Sequence, residues 1–444
     1  MTQVAPTAPS AVQTSDPTPA PPPAPVPGSP QSGIRNRPPE HAIVAAITLP
    51  ADQASTVSAL ATLRQIQAEE LSSQLPVENA QTPKAQPSPE TGEIGFADGF
   101  DRGHLTITTG FSSTAYDKLG VAAANRPQDL IPIPWAQLGD QPAQANYGDI
   151  VVQICSDDPY VCEHALHRVL YGLSGQATLV WAQVGVQRYT SREGRINRAE
   201  GRALTGFIDG TSNLDPRRCD HADDTLIFVD PDAVPGYPHV PATPQPVYGQ
   251  PAPPSLPGDL RQPPASEPPW TKFGSYMVVR STLVDFDKWD PANLGAQEQT
   301  IGRYKYSGAF LDLADDPANL KLPPAFAANQ TAPGVPITAH TRKANPRGGA
   351  EDAQRRLFRR GYPLIVGSTN GIDRGLLFIA FARTISTQFE FIFRAWMRNP
   401  NFPTNNAGPD ALFSFEKQVL CGGYYFVPPL TDPCDPTSWI VPTT

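Results

Sequence analysis

The amino-acid sequence predicts an α+β protein made of two ferredoxin-like domains, antiparallel sheets flanked by helices in a duplicated, dimeric α+β barrel-like arrangement. Two observations predict this. Apolar and alternating runs in the first half follow the order strand, helix, strand, strand, helix, strand, which suits an antiparallel sandwich with helices on one face. The second half repeats the succession, with one basic segment that the first half lacks.

Taken in order, residues 1–32 are Pro, Ala, Thr, Ser and Gln with almost no charge or aromatic side chains. Such a tail buries too little apolar surface to fold and is expected to be disordered. The first domain is placed at 33–215. His41–Ile47 is a short apolar run suited to a buried strand, and 54–75 has helical apolar spacing. Residues 76–93 read as a loop. Leu105–Thr109 and Ile150–Cys155 alternate as half-buried strands do. Asp157-Asp158-Pro159 supplies a cap and a first-turn proline for the helix that follows, with Val161, Ala165, Val169 and Leu170 turned inward. Ala177–Val184 is the fourth strand.

The second domain is placed at 216–444. Leu226–Val229 and Ser275–Arg280 read as strands, separated by a Pro-rich insert, 232–269, expected to be a disordered surface loop. A helix is expected around 291–303, a buried strand at Gly375–Ala382, and a strong helix from Ser386 to Arg398. Gly422–Val427 closes the sheet.

Composition narrows the function. A length of 444 residues leaves room for two substantial cores. A net charge of −9 argues against nucleic acid as the main partner. No apolar run reaches the roughly 18 residues of a membrane span, and no secretory pattern opens the chain, so the expected location is cytoplasmic. Five cysteines, Cys155, Cys162, Cys219, Cys421 and Cys434, lack metal-site spacing, and there is no CxxCH for covalent haem.

Two stretches carry chemistry. From His340 to Arg360 the chain offers one imidazole, then Arg342, Asn345, Arg347, Arg355, Arg356, Arg359 and Arg360, out of character for an acidic protein. A lone imidazole is a poor zinc site, yet it suffices as the sole protein ligand of a haem iron. A surface helix with a solvated basic face is the competing reading. The other stretch is Gly206-Phe-Ile-Asp209-Gly210-Thr-Ser-Asn213, at the junction of the two halves. Asp-Gly by itself reads as a turn. At a domain junction, where pockets concentrate, its carboxylate also suits a general base.

Together the motifs resemble the dye-decolourising peroxidase family. The resemblance rests on Gly206-x-x-Asp209-Gly210, Tyr276-Met-Val-Val-Arg280 and Glu298-Gln-x-Ile301-Gly302-Arg303-x-Lys305. It continues through His340-x-Arg342-Lys-Ala-Asn345-Pro346-Arg347, Arg359-Arg360-Gly361, Gln388-Phe-Glu-Phe391, Asn399-Pro-Asn-Phe402 and Gly422-Gly-Tyr-Tyr-Phe426. It covers about Gly33 to Pro429. It implies a peroxidase with one non-covalent haem b per chain, which reduces hydrogen peroxide through a ferryl intermediate and oxidises dyes, phenols and similar aromatic donors. A homo-oligomer is compatible with it.

By the same resemblance, His340 is the proximal iron ligand and Asp410 its carboxylate partner, with Glu390 as the fallback. Asp209 is the distal acid and Arg359 the distal arginine, with Arg360 as the alternative. Arg347, Arg303 and Lys305 are candidates for the haem propionates, and Leu376 and Phe378 for the distal roof. A carboxylic base titrates near pH 4, so turnover is expected to favour acid. Bulky dyes are expected to be oxidised at the surface through relays among Trp289, Trp396, Tyr304 and Tyr306. The competing functions are a haem-handling, deferrochelatase-like protein with little turnover and a scaffold whose Pro-rich segments bind partners.

Overall fold

The computed structural model describes residues 28–72, 103–187, 201–241, 255–329, 331–368, 371–432 and 434–441. The expected tail (except 28–32), the 76–93 loop and residues 242–254 of the insert lie outside them. No described helix is long and apolar enough to cross a membrane.

The strands are β1 His41–Thr48, β2 Thr106–Phe111, β3 Ile150–Ser156, β4 Thr178–Val186, β5 Ser275–Val284, β6 Phe358–Arg359, β7 Tyr362–Ser368, β8 Gly371–Ala382 and β9 Glu416–Val427. They pair antiparallel in the order β5-β9-β2-β3-β1-β4-β7-β8-β6, and a further β5–β8 pairing closes eight of them into a barrel. The first half contributes β2-β3-β1-β4 and the second β7-β8-β5-β9, so both halves run second, third, first, fourth strand. The expectation of two ferredoxin-like domains is therefore met in part. The halves share one closed sheet rather than owning two. They join at Phe111↔Phe426 and Gly185↔Leu364. Closure removes the edge strands that separate sheets would expose. At the second seam a Cβ on Gly185 would lie 2.4 Å from Cβ of Tyr362, so only glycine admits the approach.

Burial on two faces explains the apolar runs. Along β1, Ala42, Val44 and Ala46 point into the barrel, while Ile43, Ala45 and Ile47 meet the helices outside. Helix Gln53–Leu71 is capped by Asp52, which accepts from Ser55 N–H (2.9 Å). Helix Pro159–Gly172 is capped by Asp158 with proline in its first turn. Both cover the outer face of the first half with Leu60, Leu63, Ala165 and Val169. In the second half Met277 and Val279 point inward and Tyr276 and Val278 outward, against the π-type helix Ile385–Met397 and its Ile385, Phe389 and Phe393.

The structure departs from the sequence expectations in several places. Leu226–Val229 is not a strand. Asp224–Ile227 is a helical turn, and Leu226 and Ile227 pack into the barrel core. The Leu226 carbonyl accepts from Arg383 N–H and Gln388 Nε2–H instead of a strand neighbour; a four-residue apolar run does not fix its own periodicity. Strand β7 went unread because Pro363 and the two neighbouring glycines, Gly361 and Gly367, mask a short run.

The described parts of the insert are not a disordered loop. Val240, Leu256 and Leu260 pack on Phe391, Trp396 and Phe402. Arg261 bridges two buried carboxylates, Asp129 (2.8 Å) and Glu390 (2.9 Å). Proline removes N–H donors but does not prevent burial of neighbouring side chains. Residue 31 belongs to the fold as well: buried Gln31 donates to the carbonyls of Thr109 (3.0 Å) and Pro428 (2.9 Å). The helix expected at 291–303 spans Leu294–Ile301.

Candidate active site

A cavity of about 340 Å³ opens between the outer face of β5, β8 and β9, the helix Ile385–Met397 and the segments around Asp209 and His340. That is within the roughly 300–1,000 Å³ of small-molecule sites. Leu357, Leu376, Phe378, Phe389, Ile392, Phe393, Leu412 and Phe413 make most of it apolar.

His340 opens a four-residue helix, His340–Lys343, and its ring lines the cavity with about a third of its surface open. Nδ1–H donates to Asp410 Oδ2 at 2.8 Å, and Asp410 itself is 1% exposed. With Nδ1 taken, Nε2 is the nitrogen left to a ligand in the cavity. Burial opposes protonation of the ring, but the charge and hydrogen bond of Asp410 outweigh it, and the pKa lies above the usual histidine value. Arg359 pushes it down and Asp209 up by smaller amounts. Both are therefore close enough to act on the imidazole. Glu390 is elsewhere, paired with Arg261, so Asp410 is the carboxylate that meets His340.

Asp209 lines the cavity from a tight loop, with Oδ1 accepting from Gly210 N–H (2.6 Å) and its own N–H donating to Gly201 (2.9 Å). Gly206 begins that loop at φ +90°, and a Cβ there would lie 2.5 Å from Lys305 Cε. Strand β6 settles which of two adjacent arginines faces the cavity. Arg359 lines it, its backbone clasped by the Asn213 amide (2.9 and 2.6 Å). Arg360 is 1% exposed, turned away, and donates to the Asn36 carbonyl (2.6 Å). Successive side chains on a strand point to opposite faces.

Arg303 and Arg347 both line the cavity and converge on the Ser212 hydroxyl, at 3.1 and 3.2 Å. Arg303 is further held by the Gly308 carbonyl (2.5 Å), Arg347 by that of Asn345 (2.6 Å). Lys305, the third expected propionate partner, does not reach the cavity. Its ammonium donates to Gln297 Oε1 (2.7 Å) under the Gly206 turn. Leu376 and Phe378, two apart on β8, both line the wall. Of the four relay candidates Tyr306 is exposed, Trp289 and Trp396 are buried, and Tyr304 is intermediate. Trp289 packs edge-on against Phe415 of the cavity wall, ring centroids 4.9 Å apart.

Sequence reasoning missed Ser212 and the network at the other end of the cavity. There Arg280 donates to Asp140 (2.7 and 2.9 Å) and Glu416 (2.7 Å), and Arg398 joins the same two carboxylates. The signal was available on β5: Arg280 follows Tyr276 and Val278 on the outward face.

Among the described residues no group of three or more His, Cys, Asp or Glu side chains is placed to hold a bare metal ion. The donor set suits haem instead: one imidazole with a free nitrogen, apolar walls, and two arginines positioned for carboxylates.

Such a pocket, on the outer face of one half of a duplicated α+β barrel, is of the kind that seats a small ligand beside a single histidine. The comparisons specify it further. Residues 31–187 match the family model described as Dyp-type peroxidase, N-terminal, and 259–432 the one described as Dyp-type peroxidase, C-terminal. The chain belongs to the DyP-type peroxidase family. A protein named deferrochelatase from Escherichia coli O157:H7 is 26% identical over 333 residues, which cover 73% of this chain and 66% of that one. Its namesake from Shigella sonnei is 26% identical, covering 73% and 65%. The chain thus spans just under two thirds of these relatives. Ferric DtpA from Streptomyces lividans shares the fold at a TM-score of 0.67 and 23% identity, covering 91% of this chain and 92% of that one. A DyP-type peroxidase from Cellulomonas bogoriensis does so at 0.62 and 24%, covering 92% and 96%. A DypB variant from Rhodococcus jostii RHA1, described in complex with heme, follows at 0.55 and 18%, covering 93% and 99%.

Proposed function

We propose that this protein is a haem-dependent peroxidase that reduces hydrogen peroxide and oxidises dyes, phenols and similar aromatic donors. The observation that carries the reading is the hydrogen-bonded His340–Asp410 pair, 2.8 Å, in the same apolar cavity as Asp209 and Arg359. His340 would hold the iron through Nε2, with Arg347 and Arg303 on the propionates and Leu376 and Phe378 against the porphyrin face. When bound, haem supplies an iron centre that exchanges electrons with peroxide and with the donor.

The chain's own residues do the rest. Asp410 keeps the Nδ1 proton in place and enriches the imidazole in electron density. Asp209 accepts a proton from hydrogen peroxide and returns it to the oxygen that leaves as water. Arg359 stabilises the negative charge that develops on that oxygen, among largely apolar walls, where a fixed charge counts for more. Lys305, turned to Gln297, is left out of the propionate set.

The test is peroxide consumption by the haem-loaded chain with a phenolic donor, comparing the wild type with D209A. Turnover that falls steeply in the variant while haem stays bound supports the reading. Equal turnover removes Asp209 from the mechanism; release of iron-free porphyrin with no donor oxidation by the wild type favours a haem-handling role like the one named for the deferrochelatase relatives.

A further inference from the structure

One charged residue beside the site takes no part in the reading above. Lys343 closes the four-residue helix that His340 opens, and it is 0% exposed. Its ammonium has three protons to donate, and three carbonyls accept from it: Trp396 (3.1 Å), Asn399 (2.8 Å) and Phe402. These lie at the end of the helix Ile385–Met397 and in the turn beyond it, where carbonyls lack helical partners and a cation is favoured. The Phe402 ring adds a face 5.7 Å from the nitrogen.

That same stretch leads to Asp410. Asp410 N–H donates to Met397 (2.8 Å), and Ala411 N–H donates to Thr338 (2.9 Å), just before the His340 helix. Lys343 therefore grips the near end of the loop whose far end presents the carboxylate to His340. A buried ammonium is costly unless something compensates it. Besides the three carbonyls, the charge that acts on Lys343 is that of Asp410. Burial lowers the lysine pKa to about 8, against the pull of Asp410, so the group is charged at neutral pH.

We propose that Lys343 is a positioning residue of the His340 site, fixing the segment that carries Asp410 and offsetting part of the negative charge that Asp410 presents to the imidazole. The proposal rests on the reading of His340 as the iron-bearing imidazole. Asp410 also accepts from two N–H groups, His340 Nδ1–H and that of Leu412 (2.9 Å), contacts in which the lysine takes no part. With the offset gone, the imidazole becomes the stronger electron donor and favours the oxidised iron.

The test is the midpoint potential of the haem-loaded full chain near neutral pH, for the wild type, K343M, K343Q and D410N. Both lysine variants are expected to shift to more negative potential with the Soret band retained, and D410N to more positive potential. Glutamine keeps donors for the carbonyls without the charge, so it separates the electrostatic part from the grip and carries the comparison if K343M does not fold. A wild-type potential in both lysine variants, or a positive shift, overturns the proposal. A wild type that takes up no haem overturns the reading of His340, and this inference with it, before any lysine variant is made.

Discussion

The two halves of the barrel share a strand order and differ in what covers their outer faces. On the first half, helices Gln53–Leu71 and Pro159–Gly172 lie directly on the sheet, and Ile43, Leu60, Leu63, Val152 and Val169 fill the space between. On the second, the helix Ile385–Met397 shares the face with the loops carrying Asp209 and His340, and a cavity remains. The scaffold is common, so the site comes from the connections. The long path from β5 to β7 brings His340, Arg347 and Arg359; the link between the halves brings Asp209. One half is packed solid and the other leaves room for a ligand.

That contrast breaks most visibly at His340. H340A is expected to abolish haem-dependent colour and donor oxidation while leaving the melting temperature of the haem-free chain within a few degrees of wild type, measured by absorption and thermal unfolding. Next come the acid and the cation across the cavity. D209A and R359L, with haem bound, are expected to lose about 10²–10⁴-fold in peroxide reactivity, read by stopped-flow. Loss of less than threefold in either would remove that residue from the mechanism.

The opposite pattern is expected in the first half. L63A, in the fully buried core under the two helices, should cost about 2–5 kcal/mol by denaturant unfolding. Haem binding by the fraction still folded should be unchanged.

A pH effect probes the place where the halves meet. Glu267 is buried, accepting from Tyr276 O–H (2.5 Å) and from Gln128 N–H of the first half (3.0 Å). Burial raises its pKa to about 7, from 4.5 in the unfolded chain. Between those values the folded state holds a proton that the unfolded chain has released. Stability contributed by Glu267 is therefore full below pH 4.5 and falls as pH rises to about 7. The fall amounts to about 3 kcal/mol at most, and E267Q should remove it in unfolding curves taken across the window. The smallest effect is expected from K305M: haem affinity within about twofold of wild type, since Lys305 faces Gln297 and not the cavity.

Individual strands were legible in the sequence, and the closed sheet was not. Alternation and capping located β1–β5, β8 and β9 because their side chains meet two distinct environments. Closure into one barrel was not legible, since the seams consist of single registered pairs far apart in sequence, Phe111↔Phe426 and Gly185↔Leu364. The motifs around Asp209, His340 and Arg359 named residues that do meet at one cavity. Arg359 over Arg360 needed the strand to decide. Lys305 was misplaced because proximity in sequence to Arg303 says nothing about which way a loop side chain turns. Ser212 and Asp140 were invisible for another reason: a hydroxyl or carboxylate acquires meaning only beside the guanidinium it meets.

Among the residues of this cavity, His340 is the one on which ligand binding is expected to depend. The most direct measurement is the absorption spectrum of the purified chain titrated with haem, wild type against H340A. A Soret band is expected to saturate at one haem per chain in the wild type and to be lost or shifted to that of free haem in the variant. A colourless wild type, or an H340A variant with an unchanged spectrum, would contradict it.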